Sequence, residues 1–352
     1  MADYTTVKNA GANFNVVKYT GNGSAGHGIT GVGFQPDWVW IKNRSGSSNH
    51  TNFDSVRGQG KALYQNNTTA ETTVTGHLTS FDSDGFTLGD NSGTGSTNGN
   101  GDSYVSWNWK AGGAASSNGD GTITSQVSVN TTAGISVITY SGNGTGNSTI
   151  GHGLGATPDF IIIKRRDSTG NWATKNPAYN SAADPKIGYM DVTQAFATDT
   201  NVFGTSAAFN NQTFTVGDWN GSNNSSGTYV AYAFAAKRGF SKFGSYTGNN
   251  NSDGPFVHLG FKPAFVFVKN SQRTQNWCVY DNQRPGYNPI QVNLQINDSA
   301  AERVNNAVDF TSTGFKLRSN DGDSNGYAEE YIYFAFAEEP LVGDNPATGA
   351  IF

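Results

Sequence analysis

Short runs of apolar residues alternate with turn-forming residues along the whole chain, and the runs recur in the same order three times. Each cycle opens on a tyrosine followed by a small polar turn, at Tyr19, Tyr140 and Tyr246. A period of about 100 residues is that of whole domains, not of the small units of a solenoid. The chain is therefore predicted to be a tandem array of three similar domains.

Two apolar runs in each cycle have the character of β-strands. The first follows a proline and is apolar on both faces, which predicts a central strand covered on both sides. The second ends the cycle and carries large apolar side chains on one face only, because successive strand side chains point to opposite faces. The two runs are Asp37 to Lys42 and Tyr104 to Trp109, then Asp159 to Lys164 and Tyr229 to Phe234, then Ala264 to Lys269 and Tyr331 to Phe336.

These patterns predict an all-β fold of three tandem antiparallel β-sandwich domains, with jelly-roll or lectin-like character. We place them at residues 14–113, 135–239 and 240–340 and call them repeats 1, 2 and 3. Residues 114–134 are predicted to be a polar linker whose second half could add an edge strand, and residues 341–352 a C-terminal arm. Each repeat is large enough for a core of its own, and its aromatic residues are expected to fill it.

Composition narrows the classes of function. The chain has 45 glycines, 12% aromatic residues and only 14% charged residues, a profile of turns and strands with few helix formers. Its single cysteine, Cys278, excludes an internal disulfide and a cysteine-based zinc site. A net charge of −5 without a basic cluster argues against a nucleic-acid partner. No apolar segment approaches the ~18 residues of a membrane span, and the N-terminus lacks signal-peptide features, so neither membrane insertion nor Sec export is expected.

Candidate catalytic and metal-binding residues are weak. His27, His152 and His258 recur in glycine-rich turns, where a hydrogen-bonding turn residue is a better interpretation than a base or a ligand. The segment from Asp321 to Asn325 resembles the start of a calcium loop, but Ile332 stands where such a loop needs a bidentate glutamate. A structural turn is favoured there. No metal and no cofactor are expected.

Paired carboxylates for glycoside cleavage are not found in suitable positions. The adjacent pairs Glu329 and Glu330, and Glu338 and Glu339, occur only in repeat 3. Neighbours on a strand face opposite ways, so such a pair cannot flank one glycosidic bond. The sequence therefore predicts no catalytic residues and no enzyme.

A sugar-binding site is the more specific possibility. Trp172 and Trp277 align in their repeats, and each is followed four residues later by a polar group, Asn176 or Asp281. An aromatic plate beside a hydrogen-bonding group suits a sugar, whose ring faces are apolar and whose edges carry hydroxyls. Burial of the tryptophans inside a sandwich explains the pattern equally well. Repeat 1 has His50 and Asp54 in the same places.

Longer motifs carry a family resemblance. The strings from Gly33 to Arg44, Phe53 to Gly58, Phe81 to Phe86 and Val105 to Gly113 resemble a repeat domain common in virion proteins of bacteriophages, particularly marine and cyanobacterial ones. The resemblance covers about residues 14 to 340 and is least close in repeat 3, where Ser271 replaces the arginine. It implies tail-fibre-like or structural proteins, some with a lectin-like sandwich, and brings no catalytic residues.

The resemblance implies a non-enzymatic structural protein on the virion surface, as a tail-fibre-like appendage or a capsid decoration, that aids attachment to the host. The expected partners are other capsid, tail or fibre proteins, a host-surface glycan, and further copies of the same chain. A soluble lectin-like adhesin that binds glycans is the alternative. Three similar domains in one chain could also mimic a trimer at a site of threefold symmetry, although their linkers are unequal.

Overall fold

The structure is a computed structural model that describes residues 5–93, 95–175, 186–205 and 209–340. Within these ranges the chain is all-β, as predicted, and its paired strands run antiparallel. In the part of the chain that the structure describes, helical structure is limited to short turns at Ala10–Ala12, Thr200–Phe203 and Asn220–Asn223.

Repeat 1 contains a six-stranded sheet, in the order β1-β9-β3-β4-β5-β6, and a three-stranded sheet, in the order β2-β8-β7. The strands are β1 Phe14–Thr20, β2 His27–Ile29, β3 Trp38–Asn43, β4 Thr51–Asp54, β5 Lys61–Tyr64, β6 Thr72–Thr73, β7 Leu78–Asp82, β8 Gly85–Leu88 and β9 Ser103–Trp109.

Repeat 2 has an eight-stranded sheet, in the order β10-β11-β12-β19-β14-β15-β16-β17, and the pair β13-β18. The segment predicted as a linker supplies β10 and β11, which extend the edge of this sheet beyond β12. The strands are β10 Ser116–Asn118, β11 Ser125–Asn130, β12 Ile135–Ser141, β13 Ser148–Gly151, β14 Phe160–Arg165, β15 Ala173–Lys175, β16 Lys186–Tyr189, β17 Ala197–Thr198, β18 Thr213–Val216 and β19 Thr228–Phe234.

Repeat 3 differs because its eight strands form one continuous sheet, in the order β20-β27-β22-β23-β24-β25-β26-β21. The strands are β20 Ser241–Thr247, β21 Phe256–His258, β22 Phe261–Asn270, β23 Trp277–Asp281, β24 Ile290–Gln295, β25 Arg303–Thr311, β26 Gly314–Leu317 and β27 Glu330–Pro340.

One four-strand arrangement is common to the repeats. The last strand of each repeat lies between the first strand and the proline strand, and the next strand pairs with the proline strand, giving β1-β9-β3-β4, β12-β19-β14-β15 and β20-β27-β22-β23. The register is also equivalent. Trp109 lies opposite Phe14 and Trp38, Phe234 opposite Ile135 and Phe160, and Phe336 opposite Ser241 and Phe265.

The apolar faces of the three last strands meet in one core. Rings from different repeats are in contact, with centroids 4.4 Å apart for Trp38 and Tyr232, and 4.9 Å apart for Phe234 and Phe334. Repeats 1 and 2 keep an additional core of their own on the other face of the main sheet. This explains why the proline strands are apolar on both faces. The sequence analysis expected a separate core in each repeat and did not predict this shared one. Its large aromatic members include Trp38, Trp107, Trp109, Phe160, Tyr232, Phe234, Phe265, Phe334 and Phe336.

The motif that opens each repeat is held by a buried asparagine. In repeat 1 the amide of Asn98 donates to the carbonyl of Gly89 at 2.7 Å and accepts from the backbone of Asn22 at 2.9 Å. Asn223 and Asn325 make the equivalent bonds in repeats 2 and 3. The opening tyrosine of each repeat stacks on the first tyrosine of the last strand, at 5.0, 5.0 and 5.1 Å. The repeated motif therefore has a structural role.

Replacing Asn98 by alanine is expected to lower the free energy of unfolding by about 2–3 kcal/mol, because buried backbone groups lose their partners. Chemical denaturation followed by tryptophan fluorescence measures the loss. The control is Asn100→Ala, at an exposed neighbouring position, which should change stability by less than about 0.5 kcal/mol. Equal effects of the two substitutions would contradict the role assigned to Asn98.

Candidate functional site

Trp172 and Trp277, predicted as sugar-binding plates, have no exposed surface. The indole N–H of Trp172 donates to the carbonyl of Tyr64, and that of Trp277 to the carbonyl of Tyr189, so each bond crosses to the preceding repeat. Neither ring offers a face to a ligand. Asp281 is also fully buried, beside Arg284, and Asn176 lies outside the described residues. A sugar could bind to these residues only if the two tryptophan rings left their buried positions.

The alignment of these tryptophans nevertheless identified equivalent positions. His50, their counterpart in repeat 1, accepts from the indole of Trp40 through Nδ1, so Nε2 carries the proton and donates to the carbonyl of Gln295 at 3.0 Å. Burial lowers the pKa of His50 well below its usual value, which keeps the ring neutral. The three residues thus make the same kind of contact, each between two repeats.

Backbone hydrogen bonds repeat the same relation three times. We call the boundary between repeats 1 and 2 seam A, that between repeats 2 and 3 seam B, and that between repeats 3 and 1 seam C. In each seam one repeat gives a carbonyl and, three residues later, an N–H to the next repeat. The pairs are Thr68 with Gly170 and Glu71 with Arg166 in seam A, Thr193 with Gln275 and Phe196 with Ser271 in seam B, and Ser299 with Ser48 and Glu302 with Arg44 in seam C, at 2.8 to 3.0 Å.

These contacts are heterologous, because each repeat uses one surface towards the repeat before it and a different surface towards the repeat after it. Heterologous contacts produce an open filament unless the rotation closes. Here seam C returns from repeat 3 to repeat 1, so the three seams form a closed cycle within one chain. The arrangement corresponds to a trimer whose subunits are joined covalently.

A chain of charged residues runs through seam A. Arg57 lies between the carboxylates of Asp54 and Glu71, and Glu71 also receives Arg166 from repeat 2 at 2.9 Å. The hydroxyl of Tyr232, also from repeat 2, donates to Asp54 at 2.8 Å. Burial alone would raise the pKa of Glu71, but the hydrogen bond from Arg166 and the charge of Arg57 lower it. The carboxylate is therefore ionised and paired on both sides.

Seam C contains the same charged chain. Arg284 lies between Asp281 and Glu302, and Glu302 receives Arg44 from repeat 1 at 2.9 Å. Trp107 takes the place of Tyr232, and its indole N–H donates to Asp281 at 3.0 Å. Two of the three seams are thus built from one set of ionic contacts.

Seam B replaces the ion pair by an apolar contact. Phe196 stands in the position of Glu71 and Glu302, and its ring centroid lies 5.8 Å from that of Trp277. Ser271 stands in the position of the seam arginines and keeps their backbone bond, in which its carbonyl accepts from the N–H of Phe196 at 2.9 Å. Repeat 3 therefore has serine in place of the arginine, and repeat 2 has Phe196 in place of the glutamate with which that arginine would pair.

The lysine of each proline strand is buried near a seam. Lys42 donates to the carbonyl of Ser299 at 3.0 Å, and Lys164 donates to that of Thr68 at 3.1 Å. Lys269 bonds to carbonyls of its own repeat. Burial lowers the pKa of each of the three lysines to about 8.

Because of these buried lysines, the free energy of unfolding should rise from pH 8 to pH 9. In this range the unfolded chain keeps lysine protons that the folded chain loses, so each lysine adds at most about 1 kcal/mol per pH unit. Below about pH 7 both states keep the lysine proton and the contribution stops changing. Above about pH 10 the unfolded state ionises its tyrosines first, since burial raises the pKa of Tyr140 and Tyr246 well above the usual value, and stability falls again.

Denaturant titrations at pH 7, 8 and 9 test this dependence. The midpoint should rise slightly from pH 7 to pH 8 and more steeply from pH 8 to pH 9, and Lys164→Met should reduce the rise without abolishing it. A midpoint that falls between pH 8 and pH 9 would show that the lysines are not desolvated as described.

The remaining polar candidates have structural partners. His152 is buried, accepts from the backbone of Leu154 and bonds to the carbonyl of Asn210, as expected of a turn residue. The carboxylate of Asp321 accepts from the backbone of Asp323, whose own carboxylate accepts from Asn276. These oxygens are engaged in a turn. Within the described ranges, no three His, Cys, Asp or Glu side chains come together as a metal site would require.

No helix of the described ranges is long and apolar enough to cross a membrane. Comparisons with curated proteins and with solved structures give no match. A family model described as a domain of unknown function, DUF7483, matches residues 9–340, so that one model spans all three repeats and all three seams. The chain therefore belongs to the DUF7483 family.

Proposed function

We propose that this protein is a non-enzymatic structural component of a bacteriophage virion, displayed on the particle surface as a tail or head appendage, where it aids attachment to the host. In this proposal the repeats are lectin-like β-sandwiches that have become one body through their common core. The observation that carries the proposal is the closed cycle of seams. It holds three repeats with one common strand arrangement in a single closed body.

The positions of the polar residues that recur between repeats support this structural role. Residues that recur in two or three repeats, such as Asp54 and Asp281 or Lys42 and Lys164, are buried in contacts between or beside repeats. The repeated polar residues therefore hold the repeats together and are not offered to a substrate. A rigid body with approximate threefold symmetry also suits a threefold capsid site or a trimeric tail protein, because similar surfaces can then contact similar partners.

Several copies of the chain are proposed to associate with one another on the particle. The surfaces that form the seams are already occupied within one chain, so contacts between chains must use other surfaces. Capsid, tail and fibre proteins are the proposed partners, and repeated attachment to a lattice would supply many copies at the particle surface.

Purified particles of the virus that encodes the chain provide the test. The protein should be present in stoichiometric amounts by quantitative mass spectrometry, and a cryo-electron microscopy map should place it on the outside of the capsid or tail. Its absence from purified particles would overturn the proposal. A position inside the capsid would overturn the attachment role.

A further inference from the structure

A pocket of about 300 Å³ opens on repeat 3. Its lining includes Asn282 and Gln283, which lie between Asp281 and Arg284 of seam C, but none of the seam residues named above. The loop that follows β23 makes one wall, and residues at the start of β22 and near the end of β27 make the other. Every lining residue belongs to repeat 3. Its volume is at the lower end of the range of small-molecule sites.

Tyr287 gives the pocket an exposed aromatic surface. This side chain is 74% exposed, whereas most of the aromatic residues in the described ranges are buried. Single exposed apolar residues are common on proteins and carry no message alone. Here the exposed Tyr287 lines a pocket together with the buried Ile290 and Phe310, so that the lining has apolar groups both at its surface and inside.

Polar groups converge on the same pocket. The Oδ1 atom of Asn282 is buried and accepts no hydrogen bond from the described residues, although a buried polar atom normally has a partner. Lys262 and Glu338 form an ion pair of 2.7 Å at the opposite wall. The lining therefore combines an unused acceptor with a charge pair that has no net charge.

The loop that carries Tyr287 is held in place. The side chain of Asn288 donates to the carbonyl of Phe310 at 2.7 Å and accepts from its N–H at 2.9 Å. The segment 285–294 is longer than the corresponding segment 58–63 of repeat 1, which has no aromatic residue. The pocket thus depends on a loop that is absent from repeat 1.

We propose that this pocket binds a neutral saccharide. The apolar face of a pyranose ring would lie on Tyr287, and its hydroxyl groups would exchange hydrogen bonds with the Lys262–Glu338 pair and, once the Asn282 side chain turns its buried Oδ1 towards the pocket, with that amide. The absence of net charge among the lining side chains favours an uncharged sugar over an acidic one. The biological use of the site rests on the attachment role proposed above, but binding itself does not.

Saturation-transfer NMR with the purified chain tests the site. The probes are the methyl glycosides of glucose, galactose, mannose and N-acetylglucosamine at millimolar concentration. At least one should receive saturation through its ring protons, and Tyr287→Ala should weaken its binding about tenfold. Glu338→Gln, which removes the ion pair but leaves the fold of the loop, should weaken it less.

The matched control is Tyr327→Ala, since Tyr327 is 78% exposed in the same repeat but is not among the residues that line the pocket. Binding should be unchanged in this variant. No binding of any probe, or equal losses for the two tyrosine variants, would overturn the proposal. Because the assay uses the isolated protein, its failure leaves the virion location untouched, and a protein absent from virions could still bind the sugar.

Discussion

Replacing Arg57 by methionine is expected to lower the free energy of unfolding by about 3–5 kcal/mol, the usual cost of removing one partner from a buried ion pair. Arg57 and Asp54 both have fully buried side chains, so the carboxylate of Asp54 would lose its charged partner without gaining water. Glu71 would lose one of its two arginines at the same time. Chemical denaturation followed by tryptophan fluorescence measures the change.

Arg165→Met is the matched control, because Arg165 pairs with Asp167 at the surface and such pairs contribute about 0–1 kcal/mol. If the Arg57 variant is too unstable to purify, the double variant Asp54→Asn with Arg57→Met removes both charges and should recover part of the stability. Similar losses for Arg57→Met and Arg165→Met would show that seam A does not depend on the ion chain.

The second large effect concerns the common core. Trp38→Ala should cost about 3–5 kcal/mol, the range for deleting a large buried aromatic side chain. The ring of Trp38 lies 4.2 Å from that of Trp109 in its own repeat and 4.4 Å from that of Tyr232 in repeat 2. The loss should therefore extend beyond repeat 1.

Hydrogen exchange with mass spectrometry distinguishes a local from a shared effect. Protection should fall in β19 of repeat 2 as well as in β9 of repeat 1. Trp219→Ala is the control, since Trp219 is only partly buried and packs on the separate core of repeat 2. Loss of protection confined to repeat 1 in the Trp38 variant would contradict a core shared by the repeats.

Much of the fold follows from local patterns. The proline strands and last strands lie within one residue of their predicted positions in repeat 1, because a run such as Trp38 to Ile41 can be buried only as a strand with two covered faces. A strand in the second half of the predicted linker was expected as an edge strand, and β11 lies there with Val127 and Val129, but β10 forms the edge beyond it. The sequence did not predict that other repeats cover the second face of the proline strands, because an apolar face has the same pattern whether it packs against its own repeat or against a neighbour.

The residues of the seams were harder to interpret. Sequence alignment placed His50, Trp172 and Trp277 in equivalent positions, but a buried tryptophan and an exposed one beside a polar residue look alike in sequence. Arg57 and Arg166 are far apart along the chain, so no local sequence pattern indicates that both contact the same carboxylate. One signal was present: repeat 1 contains a single glutamate, Glu71, which is the residue that joins the two arginines.

A cross-link across seam C tests the central claim, the closed cycle of three repeats, most directly. The hydroxyl oxygens of Ser47 and Ser299 lie 3.1 Å apart, at the surface, although 252 positions separate them in sequence. Ser47→Cys with Ser299→Cys should form an intramolecular disulfide under mild oxidation, detected by mass spectrometry of the peptides and by mobility on non-reducing gels. Each single variant should keep its thiol. Free thiols at both introduced positions of the double variant, or disulfides only between chains, would contradict the closed cycle, whereas the buried thiol of Cys278 should stay free in every variant.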